Sequence, residues 1–243
     1  MRLTRVRVAG PLAAGRRQTI DGDAAKHIAR VLRLKPGDPL TVFDGRGGEH
    51  AARIEAIRKG AVVVEVQERS AAERESPLSL TLAQGVSRGE RMDWVIQKAT
   101  ELGVTRIIPL LTERSVVRLD ARQSARKIQH WQGIAVAACE QSGRNKVPDI
   151  ATPLGLHDFL RAIDSRATCL LLSPTGTQRV NDLKAPAGQI IVLIGPEGGM
   201  AQSEQRAAVA AGFLTVRMGP RVLRTETAAV AALTLLQHQF GDL

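Results

Sequence analysis

The chain is 243 residues long and carries a formal net charge of +10, with 44% hydrophobic and 24% charged residues. That length can bury a core without disulfide or metal staples, and the composition is globular rather than disordered. Two Trp, four Phe and no Tyr exclude a protein that grips single strands mainly by stacking bases on aromatic rings.

Taken in order, Leu3, Val6 and Val8 predict an opening strand, and Asp23 is placed to cap a short helix through Leu32, stopped by Lys35-Pro36-Gly37. Residues 40–43, the Asp44-Gly45 turn signal and residues 51–57 read as a hairpin, and 62–66 as a further strand. These make a small β-rich domain over residues 1–70, followed by a linker at 71–77 within the polar stretch ERSAAERESP. From 78 to 243 strands alternate with helices. Strands are expected at 78–84, 104–111, 168–173, 189–194 and 214–218. Helices are expected at 92–102, at 123–142, from a Ser203 cap to Gly212, and at 225–240. The continuous apolar runs at 168–173 and 189–194 suit strands covered on both faces. The alternation predicts an α/β fold with a mainly parallel sheet.

Cys139 and Cys169 lie in apolar stretches and read as buried, inert thiols. The five histidines lack metal-ligand spacing, so no metal is expected. The longest apolar run, 228–236, is half of what a membrane span needs. The Arg-rich, acid-free first twenty residues suit a transit peptide, but they read better as an opening strand, and a cytoplasmic location is expected. Charge is uneven: residues 1–35 carry +7, 36–83 carry −2, 84–146 carry +5 and 147–243 are neutral. Basic segments beside a neutral one suggest that one part holds a polyanion and another a less charged ligand.

Residues 194–199, IGPEGG, follow a buried strand. Three glycines and a proline let the backbone turn sharply and a ligand approach closely, and open α/β sheets bind ligands beyond the carboxyl ends of their strands. The pattern is neither G-x-x-x-x-G-K-[ST] nor G-x-G-x-x-G, which speaks against ATP and dinucleotides. Residues 218–228, MGPRVLRTETA, repeat the arrangement: strand end, Gly-Pro turn, helix start. Either loop alone can be a tight connection, Glu226 a partner of the helix dipole and Arg224 a surface charge. Two such loops ending adjacent strands wall one pocket.

Together GPEGG and GPRVLRTETA resemble the RsmE-type family of SPOUT methyltransferases. So do HIARVLRLKPGD at 27–38, SRGERM at 87–92, QKATELGV at 97–104, ERS at 113–115 and EQSGRN at 140–145, in order through nearly the whole chain. The resemblance implies an N-terminal PUA-like β-barrel followed by a C-terminal SPOUT α/β domain with a deep trefoil knot. It also implies S-adenosylmethionine as methyl donor, a homodimer, and methylation of N3 of uridine 1498 in the 16S rRNA of the small ribosomal subunit. A related methyltransferase with another target base, and a non-catalytic RNA-binding assembly factor, stay open. Residues 173–177, SPTGT, depart from the pattern: members carry a basic residue near Pro174, and Arg179 is the nearby substitute.

On this resemblance the cofactor-binding residues are Leu172, Ile194, Gly195, Pro196, Gly199, Met218, Gly219, Leu223, Thr225, Thr227 and Ala228. The catalytic residues are Arg224, Glu226 and Glu197. Glu197 or Glu226 takes the N3 proton if burial raises its pKa, and Arg224 stabilises the negative charge that develops on the uracil oxygens. A pocket in the neutral third suits a cofactor bearing a sulfonium and an ammonium. RNA binding falls to Arg2, Arg5, Arg7, Arg30, Arg33 and Lys35 in the N-terminal part, and to Arg88, Arg114 and Arg118.

Overall fold

The computed structural model describes residues 4–115, 120–186 and 188–243, and the chain divides into two units: Met1–Glu75 with Cys139–Val147, and Ser76–Ala138 with Pro148–Leu243.

The first unit contains β1 (Arg5–Arg7), β2 (Arg17–Asp21), α1 (Gly22–Lys26), β3 (Pro39–Phe43), β4 (Glu49–Arg58) and β5 (Ala61–Ser70). Alternation decides the strands' faces: Val62, Val64 and Val66 of β5 point inward to meet Leu40, Val42, Ile54 and Ile28, while Glu65 points out. The sheet runs β1-β3-β4-β5-β2, antiparallel except for β1 against β3. Among the described residues the short strand β1 and β2 stand at the two ends of this path. Two register shifts in the β4–β5 pair bend it locally.

The expected helix from Asp23 to Leu32 is corrected. The α-helix stops at Lys26 and continues as a π-helical turn, His27–Val31. Asp21 holds the N-cap position, and Asp23 instead pairs with Lys26 across one turn at 2.8 Å.

The stretch Cys139–Val147 belongs to this unit although a linear division assigns it to the second domain, and residues 71–75 join it rather than acting as linker. Its anchor is Glu75. Arg144 donates twice to one carboxylate oxygen, at 3.0 and 2.7 Å, and the amides of Asn145 and Lys146 donate to the other at 2.9 Å each. Burial pushes the Glu75 pKa up, but the Arg144 guanidinium and the two amides outweigh it and leave the carboxyl below its usual range. Asn145 Oδ1 in turn accepts from Arg5 Nη2 at 2.7 Å, and Arg5 pairs with the buried Glu49 over the Phe43 ring. Burial raises the Cys139 thiol to about 11, which fits an inert side chain.

The second unit contains β6 (Leu80–Gly85), α2 (Glu90–Glu101), β7 (Arg106–Leu111), α3 (Ala121–Ser142), β8 (Asp149–Ile150), β9 (Leu154–Gly155), α4 (Leu156–Arg161), β10 (Thr168–Leu172), β11 (Ile190–Ile194), α5 (Gln202–Ala210), β12 (Leu214–Val216) and α6 (Thr225–Phe240). The last turn of α3 falls in the first unit's share of the chain. All pairings in the sheet are parallel, in the order β12-β10-β11-β6-β7-β8, with β9 also on β7. Every residue of β6 and of β11 is buried, because helices cover both faces. Ile191 and Leu193 join Leu171, Phe159 and Phe213 in one core, and α6 lies against β11 and packs on α2.

The Ser203 cap is also corrected. The N-cap position of α5 is Ala201, whose amide donates at 3.0 Å to the carboxylate of Glu204, three residues on. No helix among the described residues is long and apolar enough to cross a membrane.

Candidate active site

Parallel strands present their carboxyl ends on one edge of the sheet, and here β10, β11 and β12 end at Leu172, Ile194 and Val216 around a cavity of about 620 Å³. Its size is that of a small-molecule site. Residues 194–200, 218–219 and 221–226 supply most of the wall, and Leu171, Leu172, Ser173 and Pro174 add to it. The two Gly-Pro loops therefore line one cavity, but the strands they follow, β11 and β12, are not adjacent as expected: β10 lies between them.

The first loop is held at several points. Gly199, at φ +69°, closes a turn by donating its amide to Pro196 at 2.8 Å, a conformation that suits glycine. Gly85 lets the end of β6 approach the loop, since a Cβ there would lie 2.5 Å from the Pro196 nitrogen. Beside it the fully buried Gln84 donates to Thr225 Oγ1 at 2.9 Å and to the Gly195 carbonyl at 3.3 Å. Thr225 Oγ1 donates to that same carbonyl at 2.6 Å, which joins the first turn of α6 to the GPEGG loop. Buried Glu204 adds a brace by accepting the Glu113 amide at 2.8 Å while its other oxygen holds Ala201.

Glu197 turns away from base chemistry. It accepts the Arg88 amide at 2.8 Å and Arg91 Nη1 at 2.9 Å. Burial pushes its pKa up, but the Arg88 amide, its own amide and the Arg91 guanidinium prevail and hold the carboxyl below the usual range. The condition set for a base, a pKa raised by burial, is not met; Glu197 is a clamp on the loop. Glu226 differs: it lines the cavity, and its Oε2 is buried with no hydrogen-bond partner among the described residues. Arg224, also in the lining, is exposed and makes no ion pair among the described residues.

Of the expected cofactor residues, Leu172, Ile194, Gly195, Pro196, Gly199, Met218, Gly219, Leu223, Thr225 and Ala228 all line the cavity, and Thr227 does not. A helix turns ~100° per residue, so Thr227 lies ~200° from Thr225 and faces solvent. Gln84 and Glu204 carry no motif signal, because one lies inside a strand and the other in a helix's first turn.

The expected neutral pocket is not neutral. Arg91, Arg114, Arg221 and Arg224 line it against Glu197 and Glu226, because Arg91 and Arg114 arrive from the basic middle segment. Arg114 donates to the Gly198 carbonyl at 3.2 Å.

The other expected RNA contacts divide. Arg5 is withdrawn, being buried against Glu49 and Asn145. Arg7, Arg30, Arg33, Lys35 and Arg88 are exposed, and Arg33 stands at the tight φ of +54°. Arg2 and Arg118 lie outside the described residues.

Comparison with known proteins adds the family. Residues 74–237 match a model described as an RNA methyltransferase domain, and residues 20–67 one described as an RNA methyltransferase PUA domain. The chain is 35% identical over 217 residues to ribosomal RNA small subunit methyltransferase E of Buchnera aphidicola (from Schizaphis graminum), covering 89% of this chain and 88% of that one. It is 31% identical to the Bacillus subtilis protein of the same name, covering 91% and 90%. The crystal structure of ribosomal RNA small subunit methyltransferase E from Neisseria gonorrhoeae bound to S-adenosylmethionine superposes with a TM-score of 0.93 at 38% identity, covering 99% of each chain. A Legionella pneumophila protein solved with the same cofactor gives 0.96 at 40% identity over the whole of both chains. An N-terminal PUA-type unit, a parallel α/β unit and a two-loop cavity thus occur in a chain that belongs to the ribosomal RNA small subunit methyltransferase E family.

Proposed function

We propose that the protein transfers a methyl group from S-adenosylmethionine to small-subunit ribosomal RNA, at N3 of uridine 1498 of the 16S molecule. The same reading extends to a homodimer in the cytoplasm and to a SPOUT-type catalytic unit with a deep trefoil knot. The observation that carries it is the cavity at the ends of β10, β11 and β12, which combines an unpartnered buried carboxylate oxygen, on Glu226, with an uncommitted guanidinium, on Arg224.

The residues fit the cofactor. Leu172, Ile194, Met218 and Leu223 offer apolar surface to its adenine, Gly195, Gly199 and Gly219 offer backbone groups without side chains in the way, and Pro196 offers its carbonyl; Thr225 and Ala228 complete the wall. S-adenosylmethionine supplies, when bound, an electrophilic methyl group. The chain's part is positioning and proton management. Held reactants save up to roughly 7–11 kcal/mol of barrier. Glu226 Oε2 has a lone pair free to take the N3 proton, worth about 10²–10⁴ in rate, and Arg224 stabilises charge forming on the uracil oxygens. Exposed Arg7, Arg30, Arg33, Lys35 and Arg88 supply phosphate contacts.

The test uses small subunits lacking the modification and labelled S-adenosylmethionine. Glu226→Gln and Arg224→Ala are each expected to lower turnover at least about 100-fold with cofactor affinity within about threefold. Turnover near wild type in both variants would remove the base and charge-stabiliser assignments.

A further inference from the structure

The cavity rim carries cations that a cofactor site does not explain. Of its four arginines, Arg91 is committed to Glu197 and Arg114 to the Gly198 carbonyl. Arg221 and Arg224 are exposed, and neither side chain has an ion pair or hydrogen bond among the described residues. Arg224 has a role beside the reacting base. Arg221 has none. S-adenosylmethionine has a sulfonium and an ammonium against one carboxylate, so its own net charge is positive and a surplus of free guanidinium at the rim repels rather than recruits it. These cations call for an anion from another molecule.

The surroundings narrow that anion. Arg221 and Arg224 stand three residues apart on one loop of the cavity wall. Next to Arg221, Val222 is 79% exposed, the most exposed of the large hydrophobic side chains among the described residues. It lines the cavity together with Arg221, Leu223 and Arg224. A planar guanidinium fork matches a phosphate, and an apolar side chain beside it gives a surface to an unstacked base or sugar. We infer that the Arg221–Val222 tip is a docking point for the RNA strand beside its target nucleotide, with Arg221 on a phosphodiester group. This rests on the methyltransferase reading. It adds a grip within the catalytic unit to that of the basic N-terminal residues.

The experiment uses the full-length protein, small subunits lacking the modification, labelled S-adenosylmethionine, and several salt concentrations. Arg221→Ala is expected to raise KM for the subunits about five- to tenfold while kcat stays within about twofold. The slope of log KM against log salt should flatten by about 0.7, one phosphate contact on a single strand. Cofactor affinity and the thermal midpoint should not move, and Arg221→Lys should regain most of the salt slope as a point charge. A parallel loss of cofactor affinity would make Arg221 a cofactor ligand instead. An unchanged KM and slope would make it a surface charge. Either result overturns the inference while wild-type methylation still stands; a wild type that methylates no subunit RNA would overturn the function itself.

Discussion

A carboxylate held by a guanidinium and an amide is a poorer base than one without such partners, and that separates the two glutamates of the cavity. Glu197 gives its oxygen to the Arg88 amide and the Arg91 guanidinium, whereas Glu226 Oε2 is buried and unpartnered. The sign of the Glu197 shift matters. Its folded pKa lies below the ordinary value, so the clamp is fully charged above the ordinary carboxylate range and weakens only as pH falls through the lower folded value. Titration of Glu197 therefore leaves the neutral range untouched. Glu197→Gln should keep the wild-type shape of the pH–rate profile, and because an exposed ion pair is worth roughly 0.2–1 kcal/mol it should weaken cofactor binding by no more than about fivefold. A loss of kcat near 100-fold at unchanged cofactor affinity would instead make Glu197 the base. The glycine-proline loops announced the cavity in the sequence because their residue types are unusual. The choice between two glutamates did not show there, since it depends on which arginine each one meets.

Among elements, the legible ones are those whose burial is total or strictly alternating. β11 is IIVLI with every residue buried, and α6 runs from Thr225 to Phe240 as its apolar pattern predicts. β2 was missed because RQTID presents one buried residue, Ile20, at a sheet edge. The EQSGRN stretch was visible as a motif, but its partner Glu75 lies about seventy residues away, a distance no periodicity reports. That anchor carries a testable energy. Removing the carboxylate from a buried guanidinium costs about 3–5 kcal/mol, so Glu75→Ala should lower the unfolding free energy by that order. Because the folded pKa of Glu75 is depressed, its contribution is present above the ordinary carboxylate value and lost as pH falls through the folded one. Wild-type stability should therefore drop with acid over that window more steeply than the variant's. A change below about 1 kcal/mol, with matching acid profiles, would show that the cluster is not an anchor.

For the whole molecule, linear charge counting gave a basic part and a neutral part, and folding partly undoes that division. Arg91 and Arg114 come to the cavity from the basic middle segment and join Arg221 and Arg224 in its lining, so the proposed cofactor site is also the place where this unit gathers positive charge. Parallel topology explains why: three strands ending together bring residues 172, 194 and 216 to one edge, and the loops that follow supply both glycine backbone and arginine side chains. The account stands on one chemical claim, methyl transfer to a particular uracil nitrogen. The direct measurement incubates the protein with labelled S-adenosylmethionine and unmodified small subunits, digests the RNA, and identifies and maps the labelled nucleoside. The account requires N3-methyluridine at the single site 1498. Label in a different nucleoside, or at a different uridine, would contradict it.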